Sequence, residues 1–282
     1  MSHNLTAGVM MFPTAYSIHP GDLGTAAEER NFESLWVAEH SHIPASRETP
    51  WPGGADLPQM YYDVVDPFVA LSMAAQATTT LKLATGICLV AQRDPIQTAK
   101  AVASLDALSG GRVLFGVGGG WNREEMANHG TDFAGRWKLM RERIEAMKEI
   151  WTGDPATYHG ELVSFDAIIT NPKPAQKPYP PIHVGGAFPH GMRRAIRYGD
   201  GWIPLIGRGD DDIVDHLPAF RAAVTEAGRN PDDMEVTVYA CPPDKTLVQR
   251  YADAGITRVV FGLPPADGDT VRGYLDTLAA LI

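Results

Sequence analysis

The sequence predicts an α/β fold closed into a (β/α)8 TIM barrel, and three observations predict it. Short apolar, β-rich runs alternate with amphipathic helical patterns throughout, and eight such units can be counted. A chain of 282 residues with 44% hydrophobic side chains suffices for one barrel of ordinary size. The predicted strands cover residues 6–12, 34–38, 81–89, 112–118, 182–185, 201–205, 234–239 and 258–263. Most are near-continuous apolar runs, as parallel strands covered on both faces require, while 234–239 alternates. Among the helices, Pro95 opens one whose stripe is Ile96, Ala99 and Ala103. Trp137, Met140, Ile144, Met147 and Trp151 form a second stripe, and Val271, Tyr274, Leu275, Leu278 and Ile282 a last one. Residues 1–282 are therefore expected to form one barrel domain. A doubly wound open sheet is the competing architecture.

Two stretches exceed a minimal barrel. Residues 39–63 carry Pro44, Pro50, Trp51, Pro52, Pro58, Tyr61 and Tyr62, and read as a lid or pocket wall. Residues 158–181, with Pro172, Pro174, Pro178, Pro180 and Pro181, read as an extended insertion between the fourth and fifth strands. The net charge of −10 argues against nucleic acid or an anionic membrane as a partner. Two cysteines exclude a disulfide framework and a zinc ribbon. The start, Met1-Ser2-His3-Asn4-Leu5, lacks a basic region followed by an apolar stretch, and no run approaches the roughly 18 apolar residues of a membrane span. A cytoplasmic protein acting on a small molecule is expected.

Barrel enzymes place their chemistry at the C-terminal strand ends. The second strand ends in Glu39-His40-Ser41-His42, and the third contains Thr85-Gly86-Ile87-Cys88. The fourth ends in Gly116-Val117-Gly118-Gly119-Gly120-Trp121, and the fifth in Gly185-Gly186 ahead of a helix starting near Pro189. The sixth and eighth strands, followed by Leu205-Ile206 and Leu263-Pro264-Pro265, are poor in catalytic groups. The fourth-strand glycines are not a dinucleotide fingerprint, because its final glycine position is Trp121. They read either as close backbone approach to a ligand or as turn residues. Gly185-Gly186 before a helix suits an anion, and Arg193, Arg194 and Arg197 on that helix read as a solvated face or as partners of a polyanionic cofactor tail. His40 and His42 have metal-ligand spacing, with His183 available, yet the later strand ends supply no further ligand, so no metal is expected. Covalent hydrolase chemistry has no G-x-S-x-G support, and Cys88 reads as a small core residue.

Several segments together resemble the bacterial luciferase-like superfamily. They are Ser34-Leu35-Trp36-Val37-Ala38-Glu39-His40, Thr85-Gly86-Ile87, Arg93-Asp94-Pro95, Leu105-Asp106-Ala107-Leu108-Ser109-Gly110-Gly111-Arg112, Gly116 to Trp121, Ile182-His183-Val184-Gly185-Gly186, and Gly199-Asp200-Gly201-Trp202. The resemblance runs from residue 5 to the C-terminus, and is nearest to the actinobacterial branch that uses the deazaflavin F420. It implies a non-proline cis peptide at Gly86-Ile87, with Ile87 behind the cofactor ring. It further implies Glu39 and His40 at the ring edge and ribityl chain, Gly118 and Gly120 beside the ring, and Gly185, Gly186 and Ala187 at the phosphate. The proton-donor glutamate of the family's sugar-phosphate dehydrogenases is replaced here by Trp121, so that substrate is not carried over. Trp121, with Trp51 and Tyr61, suggests a flat apolar or aromatic substrate. The expected activity is F420-dependent hydride transfer, with His40 as the catalytic residue that binds substrate or relays the proton. An FMN-dependent monooxygenase of the same fold and a non-catalytic F420-binding protein are the alternatives. The family also implies a homodimer.

Overall fold

In the computed structural model, residues 5–54, 56–205 and 212–282 are described. Met1 to Asn4 and Ile206, noted above, lie outside them. The strands are β1 (Thr6–Met11), β2 (Ser34–Val37), β3 (Lys82–Thr85), β4 (Val113–Val117), β5 (Ala156–His159), β6 (Ser164–Ile168), β7 (Ile182–Gly185), β8 (Gly201–Ile203), β9 (Glu235–Cys241) and β10 (Arg258–Gly262). Eight of them close a barrel in the order β1-β10-β9-β8-β7-β4-β3-β2. Every pairing around it is parallel. The open-sheet alternative is excluded by that closure.

Strand positions follow the apolar runs closely, and the departures have local causes. The third strand is shorter than expected: β3 stops at Thr85, and the Gly86–Ile87 peptide that follows is cis, as the resemblance implies. The chain then rejoins its neighbour. Gly86 donates to Val37 O at 2.7 Å, Cys88 donates to Gly116 O at 2.8 Å, and Gly118 donates to Cys88 O at 3.0 Å. In β9, Val260 faces Tyr239 but Phe261 faces Cys241, which leaves Ala240 as a bulge with φ of 55°. The stretch 158–181 begins inside an antiparallel hairpin, β5 with β6, that the proline count concealed.

Helices fill the crossovers. Those that flank the site are Pro67–Ala77, Pro95–Ser109, Arg123–Asn128, Arg136–Thr152 and His190–Tyr198. The expected stripes are largely buried, with Met140, Ile144, Met147 and Trp151 at 2% exposure or less, but Tyr274 and Ile282 of the last one are exposed. Cys88 is fully buried, and burial, reinforced by Glu39, pushes its thiol well above the usual range.

The N-terminal end of the barrel is closed by an ionic plug. Arg258 meets Glu33 at 2.7 and 2.9 Å and Glu235 at 2.8 Å, and Lys82 meets Glu33 at 2.6 Å. His183, which the sequence left as a spare metal ligand, is fully buried here, with Nε2 3.3 Å from Glu235. Burial, only partly opposed by Glu235, holds its imidazole down to about 4. Burial alone would raise the Glu33 carboxyl, but Arg258 and then Lys82 bring it down to about 2. Both shifts make acid destabilising. The unfolded chain binds protons on His183 below about 6.5 and on Glu33 below about 4.3, whereas the folded chain resists until near 4 and 2. Stability is therefore complete above about pH 6.5, and is lost as the pH falls through 4 toward 2. The melting temperature should drop by several degrees between pH 7.5 and 5, as thermal denaturation in a buffer series would show. A flat profile over that range would contradict this account of the plug.

Candidate active site

The C-terminal mouth gathers the polar and aromatic groups around His40. Its side chain is 6% exposed and Nδ1 lies 2.8 Å from Oε2 of Glu125, whose side chain is fully buried. A carboxylate accepts, so Nδ1 carries the hydrogen and Nε2 is left for a ligand. Glu125 Oε1 accepts from the Ser41 backbone N–H at 3.1 Å, which fixes the second oxygen. The helix Arg123–Asn128 presents Glu125 because Asn122 caps it, accepting from Glu125 N at 3.1 Å. Glu125 is not among the site residues expected from the sequence. The available signal was Asn122 followed three residues later by a glutamate, a capping-box spacing. Here the glutamate turns to His40 instead.

Rings wall this pair. Tyr61 lies 5.3 Å and Trp121 5.7 Å from the His40 ring, Trp51 lies 5.6 Å from Tyr61, and Phe12 lies 4.6 Å from Tyr61 with the two rings tilted by 43°. The three aromatic residues expected in the pocket thus stand together, with Phe12 added from the end of the first strand. The floor is made by Met10, Ile87 and Tyr239, the partly exposed members of an inner apolar cluster with Trp36, Ala84, Leu114, Ile203 and Val260. Tyr239 stands on β9, diametrically opposite β3 in the strand order, and its hydroxyl donates to Gly86 O at 2.6 Å. Burial raises this phenol far above its ordinary range.

Other expected contacts are also bonded within the protein. Glu39 is spent on the protein: Oε2 accepts from Leu89 N at 2.6 Å, and Oε1 accepts from Arg93 Nε. Arg93 in turn reaches Asp66 at 2.7 Å, the cap of the helix Pro67–Ala77. Glu39 therefore braces the chain after the cis bend, and both its oxygens are already engaged. His42 pairs with Ser41 Oγ at 2.9 Å and Asn128 at 2.9 Å rather than sharing a ligand with His40. Among the described residues no group of three or more His, Cys, Asp or Glu is disposed around a metal.

At several of the site glycines the room left by the absent Cβ is used by a protein side chain. A Cβ at Gly118 would lie 1.8 Å from Ile87 Cδ1, one at Gly86 2.4 Å from the Tyr239 hydroxyl, and one at Gly120, where φ is 67°, 2.7 Å from Met126 Cε. Gly118 and Gly185 thereby seat the Ile87 side chain, since a Cβ at Gly185 would lie 3.4 Å from Ile87 Cδ1. At the fifth barrel strand the turn Gly186-Ala187 folds tightly on its helix, where a Cβ at Gly191 would be 2.1 Å from Gly186 O. The Gly186 N–H is bonded to Ile203 O at 3.0 Å, whereas the Ala187 N–H has no acceptor among the described residues. The donor for an anion here is thus Ala187 rather than Gly186.

This packing predicts an order of costs. Gly116→Ala puts a Cβ 2.0 Å from the Thr85 carbonyl oxygen, which is backbone and cannot yield, and should cost about 2–3 kcal/mol. Gly118→Ala meets only the end of Ile87, so it should cost about 1 kcal/mol while displacing Ile87 into the mouth. Thermal melts of the two variants decide this, and equal losses would refute it.

A closed parallel barrel with a held histidine and aromatic walls at its C-terminal mouth defines an α/β-barrel enzyme. The luciferase-like monooxygenase family model matches residues 19–255, and the chain belongs to that family. An uncharacterised protein of Mycobacterium tuberculosis is 37% identical over 97% of both chains. An F420-dependent hydroxymycolic acid dehydrogenase of Mycobacterium tuberculosis is 29% identical, covering 81% of this chain and 60% of its own length. Two solved structures share the fold over 99% of this chain and 98% of theirs. A monooxygenase of Streptomyces bottropensis superposes with a TM-score of 0.77 at 18% identity. The F420-dependent tetrahydromethanopterin reductase of Methanopyrus kandleri superposes with a TM-score of 0.76 at 19% identity. Among the described residues no helix is long and apolar enough to cross a membrane.

Proposed function

We propose that the protein is an F420-dependent oxidoreductase that moves hydride between the deazaflavin and a small apolar or aromatic molecule. The observation that carries this reading is the His40–Glu125 pair, set among Tyr61, Trp121 and Trp51 above the Ile87 floor. The F420-dependent relative, which matches four-fifths of the chain, supports the choice of cofactor.

The residues present suit such a group. Ile87, Met10 and Tyr239 offer an apolar surface of ring size, and Ala187 an unengaged N–H at a helix start for a phosphate. When bound, the deazaflavin supplies or accepts the hydride as a two-electron carrier. His40 holds the substrate oxygen at Nε2 and gives or takes the accompanying proton there. Glu125 fixes the ring and its tautomer, while the aromatic walls exclude water from the exchange. Glu39 positions the bend through Leu89 and Arg93. In this reading two copies associate as a cytoplasmic homodimer, and sedimentation measures the association.

The family description and the monooxygenase neighbour favour one second reading, an FMN-dependent monooxygenase. Titrating the protein separately with F420 and FMN separates the two. Deazaflavin fluorescence should respond at micromolar protein and FMN fluorescence should not; the reverse pattern would overturn the F420 assignment.

A further inference from the structure

Outside the mouth, the helices Arg136–Thr152 and His190–Tyr198 enclose a surface groove of about 460 Å³. Five cations line it: Lys138, Arg141, Arg193, Arg194 and Arg197. Lys138 is paired with Glu161, and Arg141 lies 3.6 Å from Glu145. Arg193, Arg194 and Arg197 have no carboxylate partner among the described residues, in a chain whose net charge is −10. Arg194 stacks on Trp137 at 3.6 Å, and Arg136 approaches the same ring at 4.8 Å. Burial, then the nearness of Arg194 and Arg123, disfavours the charged form of Arg136. Three of the five groove cations thus stand together without a carboxylate among the described residues. A second observation is independent of charge. Tyr198 also lines the groove, is 5% exposed, and its buried hydroxyl has no hydrogen-bond partner among the described residues. A solvated arginine face does not account for a buried, unpaired phenol.

The groove is joined to the mouth. β4 and β7 are neighbours in the barrel, and each helix follows one of them. Gly119, just beyond β4, lies against Trp137, where a Cβ would come within 2.5 Å of the ring. The turn Gly186-Ala187, just beyond β7, leads into the helix that carries the three arginines. A molecule resting on Ile87 with its phosphate at Ala187 has this groove as its way out.

We propose that the groove is a subsite for the anionic tail of the cofactor, with Arg193, Arg194 and Arg197 supplying charge and the Tyr198 hydroxyl a hydrogen bond. The inference rests on the F420 reading. F420 continues past its phosphate into a chain of glutamates, whereas FMN stops at the phosphate, so three further cations are of use only to the former. Guanidiniums in this setting bind carboxylates through charge-assisted hydrogen bonds that weaken with salt.

The test compares two ligands, F420 with its glutamate tail and the deazaflavin riboside that lacks phosphate and tail, by fluorescence titration at several salt concentrations. The variants are the Arg193→Gln/Arg197→Gln double, whose positions are exposed and safe for folding, and Arg194→Gln, with thermal melts recorded for each. The double variant should weaken F420 binding about tenfold or more, flatten its salt dependence and leave the riboside unchanged. Unchanged F420 affinity, or equal loss for both ligands, overturns the tail subsite. Failure of the unaltered protein to bind either ligand overturns the F420 reading itself.

Discussion

Replacing His40 with alanine should lower turnover about a hundredfold or more and leave F420 affinity within a few-fold. The asymmetry follows from where the imidazole sits. Its Nδ1 is tied to Glu125, and its ring contacts are to Tyr61 and Trp121, which under the proposed function leaves Nε2 for the substrate. A group that acts on the proton in the transition state is lost from kcat, while the apolar floor and the phosphate donor that hold the cofactor are untouched. Deazaflavin absorbance gives turnover, and fluorescence titration of the same sample gives affinity. An unchanged kcat removes His40 from the mechanism, and a parallel collapse of affinity makes it a cofactor contact only.

Glu125→Gln should also cost about a hundredfold in kcat, although the side chain keeps its shape. The amide offers an N–H toward Nδ1, which drives the imidazole to the other tautomer and places its hydrogen on Nε2, as known for other acid–histidine pairs. The buried position makes the change local, because Ser41 N and Asn122 remain to hold the neighbouring backbone and helix. The melting temperature should move by only a few degrees. The distinguishing readout is the split between turnover and binding: kcat should fall while F420 affinity holds. A parallel loss of kcat and affinity would make Glu125 a packing residue.

Much of the barrel could be read from the chain because parallel strands buried on both faces leave an almost continuous apolar record. The ranges 34–38, 112–118 and 182–185 all fall within a residue or so of β2, β4 and β7. Trp51, Tyr61 and Trp121, expected together from the sequence, do stand as one cluster of rings. What stayed hidden depends on pairing across distant parts of the chain. Glu125 lies 85 positions from His40 and Tyr239 lies 153 from Gly86, and no local pattern announces either bond. An absent Cβ does not say which neighbour uses the room at Gly118 and Gly86; the structure places Ile87 and Tyr239 there. Glu39 looked like a ligand contact by position, and only the arrangement of Leu89 and Arg93 shows its oxygens engaged.

The bond from Tyr239 to Gly86 runs like a tie-beam from one wall of the barrel to the other. Under the proposed function, this brace would keep the floor apart from the walls that choose a substrate. Changes in residues 39–63 would then re-tailor what is accepted without disturbing what is done to it. Relatives that differ in Trp51, Tyr61 or Trp121 but keep this brace should therefore act on different compounds by one chemistry.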